Sequence, residues 1–179
     1  IKKFFFEFNN VIMKILSFVM VIAPIGIFCL ISKTFATQGL SSIFELMKYF
    51  ILVVVILLFH VIIVYLPIVK FYGKISFSSF FLGIKDALLF SFSTSSSSAT
   101  IPVTLECLKK NLSIKNNIAS FTVPLGATIN MDGTAIMQGV ATVFIANIYG
   151  IELIFVDYVS IILTATLASI GTAGVPGVG

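Results

Sequence analysis

The sequence predicts an all-α membrane protein in which transmembrane helices are combined with two re-entrant helical hairpins and a broken helix between them. Apolar residues occupy 59% of the 179 positions and charged residues only 10%, with a mean hydropathy of +1.16. A soluble domain of this size cannot bury so much apolar surface. Most apolar segments are too short to cross a bilayer alone, and each short one borders a run of polar or glycine residues. Paired interruptions of this kind are typical of the discontinuous helices of secondary transporters.

Five elements follow one another along the chain. Residues 1–38 predict a first helix, in which Pro24 introduces a kink. The other four are apolar segments of different lengths: a full span over 43–71, a hairpin over 76–110, a broken crossing over 115–149 and the start of a second hairpin over 153–179. The chain opens without methionine and stops within a glycine-rich run, so we expect an internal fragment of a longer protein.

The distribution of lysine predicts the orientation of these elements. All eleven basic residues are lysines, and most of them flank connections that the predicted elements place on one side of the membrane. Glu152 and Asp157 fall on the other side. By the positive-inside rule the lysine side is cytoplasmic, which predicts a multi-pass protein of the cell's inner (plasma) membrane. The first hairpin then enters from the cytoplasm and the second from outside, as an inverted repeat would.

A hydroxyl-rich break over residues 91–102 separates two apolar segments. Irregular backbone at membrane depth is tolerated only where protein buries it or where it lines a cavity, so the break predicts a site for a polar ligand. The hydroxyl groups of Ser96, Ser97 and Ser98, with free backbone N–H groups at a helix end, are suited to hold a carboxylate. A run of serine is also typical of a solvated linker, although the apolar flanks favour a buried tip.

The sequence Asn-Met-Asp-Gly-Thr over residues 130–134 interrupts a second apolar segment. A carboxylate near the bilayer centre is costly unless it is paired, and no lysine lies near Asp132 in the sequence. Oxygen atoms from Asn130, Asp132 and unwound backbone suit a hard cation such as Na⁺, whereas a Ca²⁺ cage needs more carboxylates. The alternative is a protonated or hydrogen-bonded aspartic acid in the protein core.

The glycine-rich run over residues 168–179 ends the chain. Glycine at this density exposes carbonyl and amide groups for ligand binding and provides hinges for a moving gate. The alternative is a flexible loop outside the membrane.

An enzyme is not expected from these residues. Intramembrane hydrolysis needs two aspartates, or a serine with a partnering histidine, and only Asp132 and His60 are available, in different elements. His60 is most simply a core or interface residue, and a proton relay is the alternative.

Three stretches resemble the dicarboxylate/amino acid:cation symporter family, which includes bacterial and animal glutamate transporters. They are SSSSATIPVT (residues 95–104), PLGATINMDGTA (124–135) and ASIGTAGVPGVG (168–179), in the order and spacing of the family. The resemblance implies part of an elevator fold, assembled as a homotrimer in a lipid bilayer. Residues 1–38 would belong to the trimerisation scaffold and residues 39–179 to the mobile transport domain.

The resemblance also implies a set of site residues. Substrate contacts are implied at Ser96, Ser97, Thr134, Val175 and Gly179. Ligands of Na⁺, the coupling ion, are implied at Gly126, Thr128, Asn130, Asp132, Ser169, Ile170 and Thr172. Most of these ligands are main-chain carbonyl groups. No organic cofactor and no nucleic-acid partner are expected.

The activity implied by the resemblance is Na⁺-coupled symport of an acidic amino acid, glutamate or aspartate, or of a C4-dicarboxylate. Ser95 stands where some members carry a substrate-binding arginine, and in members with serine that arginine lies on the eighth helix, outside these residues. Two alternatives stay open: a proton-coupled dicarboxylate or neutral amino acid transporter of the same fold, and, in another class, an ion channel.

Overall fold

The computed structural model describes residues 2–39, 41–172 and 174, and these residues form helices and short connections without any β-strand. The all-α prediction is therefore confirmed for this part of the chain. Contacts divide the chain into two compact units, residues 1–48 and residues 49–179. The assignment of residues 1–38 to a scaffold and of residues 39–179 to a transport domain stays a prediction.

The first unit consists of helix α1, Lys2–Gln38, and the beginning of helix α2. Helix α1 continues through Pro24, and the hydroxyl groups of Thr34 and Thr37 donate to carbonyl groups one turn earlier in the helix. Large apolar side chains on α1 are exposed, as on a helix that faces lipid or further protein.

Three consecutive helical elements form a long apolar rod. Helix α2, Ser41–His60, continues through a π-helical turn, Val61–Tyr65, into helix α3, Leu66–Phe71. Among the described residues this is the one helix long and apolar enough to cross a membrane, with 29 residues over Ile43–Phe71. It coincides with the predicted span. The predicted first helix coincides with α1, of which several side chains lie outside the described part of the chain.

The predicted first hairpin is formed by helices α4, Phe77–Thr94, and α5, Ser97–Lys110. The chain reverses at Ser95, whose φ of 46° is left-handed, and Ser96 caps α5 by accepting a hydrogen bond from the backbone N–H of Ala99 at 3.2 Å. The far ends of the two arms are joined because the amide of Asn111 donates to the Gly83 carbonyl at 2.7 Å. The two helices are thus antiparallel, although their insertion into a membrane stays a prediction.

Replacing Asn111 with alanine is expected to loosen the hairpin at its open end. The Gly83 carbonyl would lose its side-chain donor, at a cost of about 1 kcal/mol. The melting temperature of the purified full-length protein in detergent should fall by a few degrees. The matched control is Asn117→Ala, since the exposed Asn117 side chain makes no hydrogen bond with the described residues. Equal melting temperatures for the two variants would contradict the role given to Asn111.

The predicted broken crossing is observed as two helices, α6, Asn116–Ile129, and α7, Asp132–Ile148. Asn130 and Met131 between them have ψ angles of 70° and 61°, which no helix contains. Helix α8, Phe155–Ile170, follows and is capped where Asp157 accepts from the Ile154 backbone N–H at 2.9 Å. Helix α6 packs on α5, α7 packs on α8, and α6 also reaches α8.

Candidate functional site

The tip of the first hairpin meets the glycine-rich segment that follows α8. The carbonyl oxygen of Gly174 accepts two hydrogen bonds, from the Ser96 hydroxyl at 2.8 Å and from the Ser98 backbone N–H at 2.9 Å. These donors lie at the N-terminal end of α5, where backbone N–H groups have no partner within the helix. A group that carries negative charge or a carbonyl dipole is therefore well bound at this tip.

Gly174 also contacts the end of α6. A Cβ atom added at Gly174 would lie 2.7 Å from the Ser98 hydroxyl oxygen and 3.3 Å from the Ala127 carbonyl oxygen. Ala127 belongs to the last turn of α6, just before the break at Asn130. The structure thus places the hairpin tip, the glycine-rich segment and the end of α6, just before its break, next to one another. The close approach explains why a residue without a side chain stands at position 174.

Hydroxyl groups are buried at or near each of these interruptions. Four polar residues are buried among those described, namely Ser96, Thr100, Thr134 and Ser169. All of them except Thr100 are predicted site residues. Thr100 is not among the predicted site residues. It lies one helical turn after Ser96, and its hydroxyl group donates to the Ser96 carbonyl at 2.8 Å. Its spacing of four residues from Ser96 was the available signal.

Asp132 has partners that the sequence analysis did not find. The hydroxyl group of Tyr65 donates to Asp132 Oδ2 at 2.6 Å, and His60 Nε2 lies 3.6 Å from the same oxygen. Each partner belongs to the rod formed by α2 and the π-helical turn, more than sixty positions away in sequence. The alternative of a hydrogen-bonded aspartate is thus borne out in part. Tyr65 supplies a neutral donor, however, and does not balance the charge of a carboxylate.

The remaining predicted residues are distributed over the ends of α6 and α8. The hydroxyl groups of Thr128 and Ser169 donate to carbonyl groups of their own helices, and that of Thr172, just after α8, donates to a carbonyl group of α8. The Gly126 carbonyl accepts from the Asn130 backbone N–H at 3.0 Å, and Ile170 is the last residue of α8. Ser97 is exposed at the first turn of α5. Val175 and Gly179 lie outside the described residues.

The donor groups at the α6–α7 break suit a monovalent cation. Helix α6 ends at Ile129, which leaves its last carbonyl groups without partners within the helix. These oxygens adjoin the Asn130 side chain and the Asp132 carboxylate in the chain. Within the described residues no three His, Cys, Asp or Glu side chains lie together, so the donor set has one charge and otherwise neutral oxygens. Such a set fits Na⁺ better than a transition metal or Ca²⁺.

A cavity in the second unit lies elsewhere. Its volume is about 970 Å³, and it is lined by α2, α7 and α8 and by the connection from α7 to α8. The lining is mainly apolar, with Asn147 and Glu152 as polar exceptions. No predicted site residue contributes to it. The convergence of the three helix breaks, and not this cavity, is therefore the candidate site.

An all-helical, strongly apolar chain with buried hydroxyl groups beside its helix breaks has features typical of secondary membrane transporters. Comparison with known proteins gives the particular family. The sequence profile of the sodium:dicarboxylate symporter family matches residues 1–179. The chain belongs to this family, which confirms the resemblance seen in the three motifs. The family is one of transporters and not of enzymes, and it supports a location in a membrane.

Curated relatives include transporters from animals. The chain is 41% identical to an excitatory amino acid transporter of Caenorhabditis elegans over 179 residues, 99% of this chain and 36% of the relative. It is 40% identical to human excitatory amino acid transporter 1, over 100% of this chain and 33% of the relative. The chain is 43% identical to mouse excitatory amino acid transporter 2, over 99% of this chain and 31% of the relative. The chain spans about a third of the length of these relatives.

Proposed function

We propose that the protein is a secondary active symporter that moves an acidic amino acid, glutamate or aspartate, or a C4-dicarboxylate together with Na⁺. The family and the names of the curated relatives support this activity. The observation that carries it is the burial of Ser96, Thr134 and Ser169 around three helix breaks. Buried hydroxyl groups beside helix ends provide polar contacts that suit a polar ligand or ion.

The anionic substrate is proposed to bind at the tip of the first hairpin. Ser96 and the Ser98 backbone N–H donate to the Gly174 carbonyl, and the same donors suit a substrate carboxylate. Ser97 and Thr134 are proposed to contact the substrate as well. Binding would then separate Gly174 from these donors, and Val175 to Gly179 would close over the substrate from outside.

Sodium is proposed to bind at the ends of α6 and α8. Gly126 and Asn130 would hold one ion, and Asn130 with Asp132 would hold another. The ligands of a further ion would be Thr128, Ser169, Ile170 and Thr172. A bound cation balances the charges of the substrate and of Asp132, which makes the loaded site stable away from water. Substrate and Na⁺ thus assist each other's binding, and this coupling is the basis of symport.

The larger assembly is also part of the proposal. Residues 39–179 would move as a transport domain, with its two hairpins inserted from opposite sides, against a scaffold that includes residues 1–38. The scaffold would form the centre of a homotrimer in the inner (plasma) membrane. The exposed apolar side chains of α1 support such a contact with lipid or with neighbouring subunits.

Uptake into liposomes tests the activity. The full-length protein is reconstituted, and radiolabelled aspartate, glutamate, succinate and alanine are offered under an inward Na⁺ gradient or an inward pH gradient. We expect uptake of an acidic substrate to be saturable and to require Na⁺. At equilibrium, labelled substrate should still exchange with unlabelled substrate across the membrane. Uptake driven by the pH gradient without Na⁺ would favour the proton-coupled alternative. Current without saturable exchange would favour an ion channel, and either result would overturn the proposal.

A further inference from the structure

Tyr65 connects the long apolar rod with the broken helix. Its hydroxyl group donates to Asp132 Oδ2 at 2.6 Å, a length typical of a strong hydrogen bond between a hydroxyl group and a carboxylate. The two residues are 67 positions apart in the chain, so the contact exists only in the folded protein. The pairing gives Asp132 a partner that belongs to the protein itself.

The π-helical turn is the structural cause of this contact. In an α-helix, two residues five positions apart point about 140° away from one another around the axis. In the turn Val61–Tyr65 the Leu66 N–H donates to the Val61 carbonyl, five residues earlier, which widens the helix locally. His60 and Tyr65 consequently share a face, with their ring centroids 5.0 Å apart in an edge-to-face arrangement. Single π-turns are frequent at functional sites.

His60 places a further polar atom beside the same carboxylate. Its Nε2 atom is buried, has no hydrogen-bond partner among the described residues and lies 3.6 Å from Asp132 Oδ2. This distance is too long for a hydrogen bond. Tyr65 is therefore the one described side chain that donates a hydrogen bond to the carboxylate.

We propose that Tyr65 is a positioning residue that stabilises Asp132 while no ion is bound and thereby opposes the binding of Na⁺. The inference rests on the proposed function, because it takes Asp132 as a sodium ligand. A hydroxyl donor draws negative charge from the carboxylate, so the hydrogen bond is stronger when no cation shares that charge. An interaction that favours the ion-free state lowers the affinity for the ion. The same interaction assists the release of Na⁺ at the end of transport.

Tyr65→Phe tests this role because it removes the hydroxyl group and keeps the ring against His60. Binding of radioactive sodium to the purified full-length protein, without substrate, is the measurement. We expect the variant to bind Na⁺ about tenfold more tightly and to release it more slowly, as the loss of one hydrogen bond to a charged group implies. The matched control is Tyr49→Phe on the same rod, where the ring centroids of Tyr49 and Phe144 are 5.4 Å apart. This control should bind Na⁺ like the unmodified protein.

Infrared difference spectra of the unmodified protein provide a second measurement that does not depend on the folding of the Tyr65→Phe variant. Addition of Na⁺ should shift the phenol C–O band of a tyrosine, and Asp132→Asn should abolish the shift. Weaker Na⁺ binding by Tyr65→Phe would make the hydroxyl group a ligand, and unchanged binding would make the contact irrelevant to the ion. Either result overturns the inference.

The failure of this inference can be told apart from that of the proposed function. If the unmodified protein binds no Na⁺, the symport proposal itself is wrong. If the unmodified protein binds Na⁺ and Asp132→Asn weakens this binding while Tyr65→Phe does not alter it, only the role of Tyr65 is wrong.

Discussion

Replacement of Asp132 with asparagine is expected to raise the Na⁺ concentration for half-maximal uptake by a factor of about ten or more. A factor of ten corresponds to a free energy of about 1.4 kcal/mol. Two unit charges 4 Å apart attract by about 4 kcal/mol at an effective dielectric constant of 20, and desolvation offsets only part of this. The substitution removes that attraction and keeps nearly the same shape. Because the asparagine oxygen can still accept from Tyr65, the fold should persist.

The measurement is Na⁺-dependent uptake of an acidic substrate by the full-length protein in liposomes, with melting temperature as a check on folding. Asp86→Asn is the matched control, since Asp86 lies exposed on α4 outside the candidate site. It should leave the Na⁺ dependence unaltered. An Asp132→Asn variant with the original Na⁺ dependence would remove Asp132 from the set of ligands, and with it the main reason to regard the α6–α7 break as a cation site.

Replacement of Gly174 with alanine is expected to have the second large effect. The added Cβ would lie 2.7 Å from the Ser98 hydroxyl oxygen and 3.3 Å from both the Ser98 nitrogen and the Ala127 carbonyl oxygen. The hydroxyl group can rotate, but the two backbone atoms cannot, so the hairpin tip and the glycine-rich segment must separate. Overpacking of this kind costs about 1–3 kcal/mol. The two hydrogen bonds to the Gly174 carbonyl would be weakened at the same time.

Uptake and exchange rates should fall roughly tenfold or more in Gly174→Ala, because about 1.4 kcal/mol corresponds to a factor of ten. The matched control is Gly139→Ala on α7, where an added Cβ meets no atom within 4 Å. This control should transport at the original rate. Equal rates for both variants would mean that the contact between Gly174 and the hairpin tip has no part in the transport cycle.

The two substitutions test different properties of one arrangement. Asp132 provides charge where the broken helix opens its backbone, whereas Gly174 provides space where two chain segments touch. If Asp132→Asn alters only the Na⁺ dependence of uptake and Gly174→Ala alters only the uptake rate, the cation site and the gate are distinct parts of the arrangement. The role proposed for Tyr65 adds a third property, the stability of the ion-free carboxylate.

Composition and local pattern by themselves determined the fold class and the positions of the helix breaks. Ser95 and Ser96, Asn130 and Met131, and the glycine-rich run after α8 interrupt apolar segments, and the structure ends helices at these residues. Such interruptions are local, because they follow from the conformational preferences of a few neighbouring residues. The motif resemblance then predicted Ser96, Thr134 and Ser169 as site residues, and these side chains are buried.

Only the tertiary structure decided which distant residues meet. Gly174 reaches Ser96 across 78 positions, and Tyr65 reaches Asp132 across 67, and no local pattern encodes either separation. The sequence accordingly leaves Asp132 either to a bound cation or to a hydrogen-bond partner that it does not identify, and it indicates for His60 only a core or interface position, with a proton relay as the alternative. The π-helical turn that directs Tyr65 to the carboxylate lies within an unbroken apolar run, where hydrophobic periodicity gives no sign of it. Long-range contacts depend on how helices pack, and packing is a property of the folded chain as a whole.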